Sequence, residues 1–245
     1  MGKRITYEKV VNFFYQCTDL ILVSILWMIG CIPIVTSGAS TVALYYTVNK
    51  CIRHGRGKTW SCFWQSFRQN LKQSVLITLG FLAAVVVFAS DYRYMNTLGE
   101  TSSGYANFAI FFEVLIFLLC IYAFWVFAHI ARFEGTIKVH LKNAFLFAIL
   151  HLHITIAVAV IGMGSVMLIM AVWPVLFIVP GLSVFCMNLF TEKVFRKYMR
   201  EEDKAMEDEL NLDYRDDYVG KGLEQMREQR RERQRRRKKS KKRVE

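Results

Sequence analysis

Between Asn143 and Thr191 the chain runs for 49 residues without an Asp, Glu, Lys or Arg. About 20 apolar residues cross a bilayer as a helix, so this run holds two crossings joined by a tight turn. Trp173-Pro174 is the expected turn, because proline is tolerated in the first turn of a helix and not in its middle. A break at Gly162-Met163-Gly164 is the competing choice. A helix begun at Pro174 reaches the charged cluster at 192–200 after a full crossing, and Pro180-Gly181 then falls inside it, which predicts a kink.

Charge is segregated along the rest of the chain as well. The protein is 54% hydrophobic yet has a formal charge of +12. Residues 1–199 hold 16 Lys and Arg against 7 Asp and Glu, nearly all outside the apolar runs, and residues 200–245 hold 16 against 13. That pattern excludes a soluble globular domain for the first part. It predicts an all-α, polytopic transmembrane helical domain over 1–200 and a charged cytoplasmic tail over 201–245.

Four more runs supply the remaining spans. Val10–Ile32 is interrupted only by Asp19, and Asn12–Ile32 would cover ~31 Å as a helix. Ala39–Ile52 covers ~21 Å, either a short tilted span or a half-inserted one. Ser74–Ser90 and Phe108–Ala131 complete six. Residues 50–72 carry six basic residues and no acid, which places them in the cytoplasm together with 132–142 and 192–245, while 91–107 faces outward. With an external N-terminus the count becomes five. The expected location is a bacterial cell membrane, with the C-terminus cytoplasmic.

Trp60, Phe63, Trp64, Phe67 and Leu71 recur at helical spacing opposite Gln65, Arg68, Gln69 and Lys72. This predicts an amphipathic helix that runs on into Ser74–Ser90, with its aromatics either in the lipid headgroup region or packed on the protein's own inner surface. The tail changes character: Glu201–Asp217 has nine acids and two bases, and Lys221–Arg243 has thirteen bases and three acids. The acidic part cannot bury a core, and the basic part suits anionic inner-leaflet lipids better than nucleic acid, since it lacks interleaved aromatics.

The stretch Gly30–Tyr46 combines Pro33, two glycines and the hydroxyls of Thr36, Ser37, Ser40 and Thr41. Pro33 removes a backbone donor and Gly38 permits unusual backbone angles, so one helix should end near Ile32 and another begin after Thr36 or Ser37, capped by their hydroxyls. Asp19 and Glu113 are the two carboxylates within apolar runs and are candidate sites, Asp19 as an ion carrier or a structural acceptor. The expected depths keep them apart. His129, His140, His151 and His153 lack any metal-ligand spacing, the six cysteines form no C-x-x-C, and no phosphate loop or nucleophile elbow is present. No metal, cofactor or catalytic residue is expected, and an enzyme is disfavoured.

Trp27, Gly30, Pro33, Thr36, Gly38, Ser40 and Ala43-Leu44-Tyr45, with the closing Pro180–Phe185 run and Phe195–Tyr198, resemble the signature of the YesL-like family of small bacterial integral membrane proteins. The resemblance covers about residues 5–200. That family is a domain of unknown function. The resemblance implies association with a carbohydrate ABC transporter, with its membrane subunit as partner, and carries over no catalytic residue. Two functions follow: a non-enzymatic accessory or regulatory protein, or a permease or channel component with a cavity at the Pro33–Tyr46 break.

Overall fold

The computed structural model describes the backbone of residues 2–55, 57–99 and 103–209, and the side chains of 16–55, 57–97 and 108–209. Residues 2–53 and 57–198 form one compact unit, and 199–209 belong to a second together with His54 and Gly55. Seven α-helices build the first: α1 (Gly2–Cys31), α2 (Ser37–Thr47), α3 (Thr59–Gly99), α4 (Ser103–Arg132), α5 (Ile137–Leu150), α6 (Leu152–Ala171) and α7 (Val179–Tyr198). In the second, residues 201–209 are helical, with Arg200–Asp203 and Lys204–Glu201 ion pairs on the surface. The remainder of the expected tail, including its basic segment, lies outside the described residues.

Pro33 ends α1 as its missing donor requires, and a 3-10 turn over Ile34–Thr36 leads into α2. α2 continues into a π-helix over Val48–Arg53 and lies antiparallel to the first half of α3, with Gly38 against Thr78 and the Cys51 and Cys62 thiols hydrogen-bonded. The second half of α3 pairs with α4 through Phe81–Tyr122 and Phe88–Phe112. α3 is one helix from the aromatic stretch through the apolar one. It runs on to Gly99, and α4 begins at Ser103, so most of the expected outer loop 91–107 is helical instead.

Among the described residues, three helical stretches are long and apolar enough to cross a membrane: Thr59–Thr97, Phe108–Arg132 and Leu152–Ala171. The protein is thus an all-α, multi-pass membrane protein, with three such stretches where six were expected. The others fall short for visible reasons. The apolar part of α1, Gln16–Cys31, is shorter; α2 has 11 residues; and α7 carries Glu192, Lys193, Arg196 and Lys197 in its last turns.

Two further expectations are corrected. Pro180-Gly181 sits in the first turn of α7, following a 3-10 turn over Trp173–Phe177, so the proline occupies the position a helix start tolerates and no mid-helix kink arises from it. The first crossing expected in the uncharged run, from Asn143 to the turn at Trp173, is also two helices and not one. α5 begins at Ile137 within the expected 132–142 connection and stops at Leu150; the Thr155 hydroxyl then donates chiefly to the Ala148 carbonyl, at 2.8 Å, where the chain leaves one helix for the next.

The core gathers Val23 and Leu26 of α1, Val42–Tyr45 of α2, Phe63 and Ile77 of α3, Trp125 and Val126 of α4, Phe147 of α5 and Phe195 of α7. Lipid tails are as apolar as these side chains, so close packing and interhelical hydrogen bonds matter more for association here than exclusion of water. Edge-to-face aromatic pairs join Phe195 to Tyr45 and Trp125, each worth roughly 0.5–1.5 kcal/mol beyond burial.

Candidate functional site

The hairpin between α1 and α2 binds its two strands of chain together with hydroxyls. Ser40 donates to the Trp27 carbonyl at 3.0 Å, and the Trp27 indole donates to Thr41 Oγ1 at 3.2 Å. Thr36 was expected to cap α2. Its hydroxyl makes no capping bond to that helix and donates instead to the carbonyls of Gly30 and Pro33, at 2.7 and 2.9 Å. The reason is Pro33: a residue without N–H cannot serve the carbonyls left open at the end of α1, and the Thr36 hydroxyl supplies the proton.

Small residues let this hairpin close. A Cβ on Gly38 would collide with Thr78 Oγ1 and lie 2.7 Å from the Phe127 ring, and one on Gly30 would lie 3.1 Å from Ser40 Cβ. Ala39 and Ala43 are fully buried. The start of α2 is therefore packed tightly against α3 and α4, while Ile32–Val35 at the turn itself stay exposed.

A second group of polar side chains links α4, α5 and α7 to the end of α2. Arg132 pairs with the buried carboxylate of Glu192, Nη2 to Oε1 at 2.6 Å. Tyr45 OH and Thr191 Oγ1 share a hydrogen bond of 2.7 Å, and Arg53 Nη1 donates to Asn188 Oδ1 at 2.9 Å. His129 and His140 meet Nδ1 to Nδ1 at 2.7 Å. His140 Nε2 lies 3.2 Å from the Gly135 carbonyl, which can only accept. In the neutral pair the proton on His140 therefore sits on Nε2, its Nδ1 accepts from His129 Nδ1–H, and His129 Nε2 is left to accept from Asn143 Nδ2 at 3.5 Å. Burial holds the His140 imidazole below its usual pKa, against the opposing pull of the Gly135 carbonyl.

The remaining candidates lie apart from one another. Asp19 is half-buried and hydrogen-bonded to the Thr59 side chain, while Glu113 is exposed on α4. Phe63 is fully buried and Trp64 and Phe67 half-buried in contact with the core, whereas Trp60 is exposed, so the aromatic stripe turns mostly inward. His151 reaches Tyr198 OH at 3.3 Å. Among the described residues, no group of three or more His, Cys, Asp or Glu side chains is placed to hold a metal ion. The sequence places Glu192 only in the charged cytoplasmic cluster at 192–200, and its pairing was missed. The available signal was that Arg132 and Glu192, of opposite sign, each end an apolar run on the side assigned to the cytoplasm.

Residues 20–92 match the family described as Protein of unknown function, DUF624. The matched span runs from the apolar part of α1 through most of α3 and contains Trp27, Gly30, Pro33, Thr36, Gly38 and Ser40. The Arg132–Glu192 and His129–His140 contacts lie beyond it. Among curated proteins and solved structures, none matches the chain.

Proposed function

We propose that this chain is a non-enzymatic, multi-pass protein of the bacterial cell membrane that acts beside a carbohydrate ABC transporter through its helix surfaces. The observation that carries the reading is the closed hairpin. At the one break where a water-lined passage was the alternative, Gly38 has no room for a methyl group, and the Trp27, Thr36, Ser40 and Thr41 polar groups bond within the hairpin. By contrast, α6 turns Val160, Met163, Val166, Met167 and Met170 outward, apolar surface that suits lipid or a neighbouring helix. The sugar-transport association rests on the YesL resemblance.

In this reading residues 50–72, 132–142 and 192–245 face the cytoplasm by their Lys and Arg content, and the basic segment Lys221–Arg243 adheres to anionic lipid. Cross-linking in native membranes followed by affinity purification should recover the membrane subunit of an ABC transporter. Sugar flux through proteoliposomes holding the purified chain alone would overturn the proposal in favour of the permease reading.

A further inference from the structure

α3 presents one continuous exposed line whose chemistry changes sharply part-way along. Its N-terminal end forms a concavity of about 700 Å³ lined by Trp60, Ser61, Trp64, Gln65, Arg68 and Gln69. Arg68, Lys72, Leu76 and Leu79 follow at i, i+4, i+8 and i+11, a spacing that keeps them on one face, and all four are exposed. Beyond them, a Cβ at Gly80 would meet nothing within 4 Å, so the apolar part of the line is open. Cation and amide thus give way to bare hydrocarbon between Lys72 and Leu76.

The charges on this line are uncompensated. Residues 50–90 contain no Asp or Glu. Among the described residues Arg68 and Lys72 have no carboxylate partner. A zwitterionic lipid would bring an ammonium group to a surface that offers it no anion, whereas a lipid with net negative charge meets two cations. Trp60 and Trp64 supply indole rings of the kind that settle at headgroup depth, and Gln65 and Gln69 offer donors and acceptors to hydroxyls.

We propose that this face of α3 binds an anionic glycerophospholipid of the phosphatidylglycerol kind. Its phosphate sits between Arg68 and Lys72, its glycerol headgroup in the Trp60–Gln69 concavity, and its acyl chains along Leu76, Leu79 and Gly80. The site is distinct from the basic tail and does not depend on the accessory role.

The test is native mass spectrometry of the delipidated full-length chain in detergent, titrated with phosphatidylglycerol or phosphatidylcholine of identical acyl chains. Phosphatidylglycerol should bind roughly thirtyfold more tightly, the scale expected of two basic residues at an anionic headgroup. Arg68→Gln with Lys72→Gln should remove most of that preference, leaving only what the basic tail supplies, while Arg68→Lys with Lys72→Arg should keep it. Gly80→Leu should weaken both lipids several-fold by filling the acyl seat. Lys138→Gln with Lys142→Gln, two exposed cations on α5, should leave the preference intact. Equal binding of the two lipids by the parent, an undiminished preference in the Arg68 and Lys72 double Gln variant, or its loss in the Lys138 and Lys142 variant would overturn the site. So would glycerol 3-phosphate competing as well as the whole lipid.

Discussion

The chain makes two proline-marked reversals, one from α1 into α2 and one from α6 into α7, and they are built for opposite surroundings. α2 buries eight of its eleven residues. α6 buries three of twenty. Both are uncharged and apolar, so hydrophobicity alone does not separate them. What differs is the size and polarity of their side chains: α2 is Ser, Gly, Ala and Thr around Val, Leu and Tyr, whereas α6 sets long aliphatic and Met side chains outward. A helix packed inside a membrane protein needs small residues for close approach and hydroxyls to satisfy neighbours; one facing lipid needs only bulk.

The strongest challenge to that contrast comes from α7, the partner of α6, whose last turns behave like the interior. Glu192→Ala leaves Arg132 without its buried partner, and melting in detergent should show a loss of about 3–5 kcal/mol. A loss below ~1 kcal/mol would mean the pair is solvated, as surface pairs are.

Next in size is a matched pair of glycine substitutions. Gly38→Leu forces a side chain into Thr78 and Phe127 and should cost about 1–3 kcal/mol or more, seen as a lower melting temperature and less folded protein after detergent extraction. Gly164→Leu, in open space on α6, should stay within ~0.5 kcal/mol of the parent. Equal behaviour of the two variants would erase the distinction between the reversals. Thr36→Val should cost ~1–2 kcal/mol, because the Gly30 and Pro33 carbonyls lose their shared donor.

The smallest effect is one of pH. The His140 pKa is depressed in the folded protein, so between that value and the ordinary one the unfolded chain binds more protons than the folded chain. Stability therefore rises with pH through this window and falls as the pH drops below about 6.5. Thermal unfolding at pH 7.5 and 5.5 should show a drop in the parent that is partly flattened in His140→Gln. An unchanged drop in the variant would assign the dependence to other groups.

Much of the first reversal was legible in the sequence through Pro33 and its missing backbone donor. Gly38, however, sits inside α2 without a positive φ and acts through close approach, not through the unusual backbone angles expected of it. The function of Thr36 was not legible. Which carbonyl a hydroxyl serves depends on how the chain turns after it. The aromatic stripe at 60–71 showed a helix and a face without naming what covers the face, and the structure places Phe63 fully buried in the shared core. Glu192 was hidden for a similar reason, since its partner is 60 positions away and becomes visible only when α4 and α7 are placed side by side. Pro180 was misplaced because α7 begins at Val179, about one and a half turns after the expected start at Pro174.

The length of α3 has a mechanical consequence. Forty-one residues make a rod of about 61 Å, roughly twice the thickness of the hydrocarbon core. Its first half is gripped by α2 and its second by α4. Such a rod is a lever: turned by about 5° about one end, it carries the other end about 5 Å sideways. A small reorientation beside Trp60 and Arg68 is thereby magnified at Asp91 and Arg93, with no helix having to unfold.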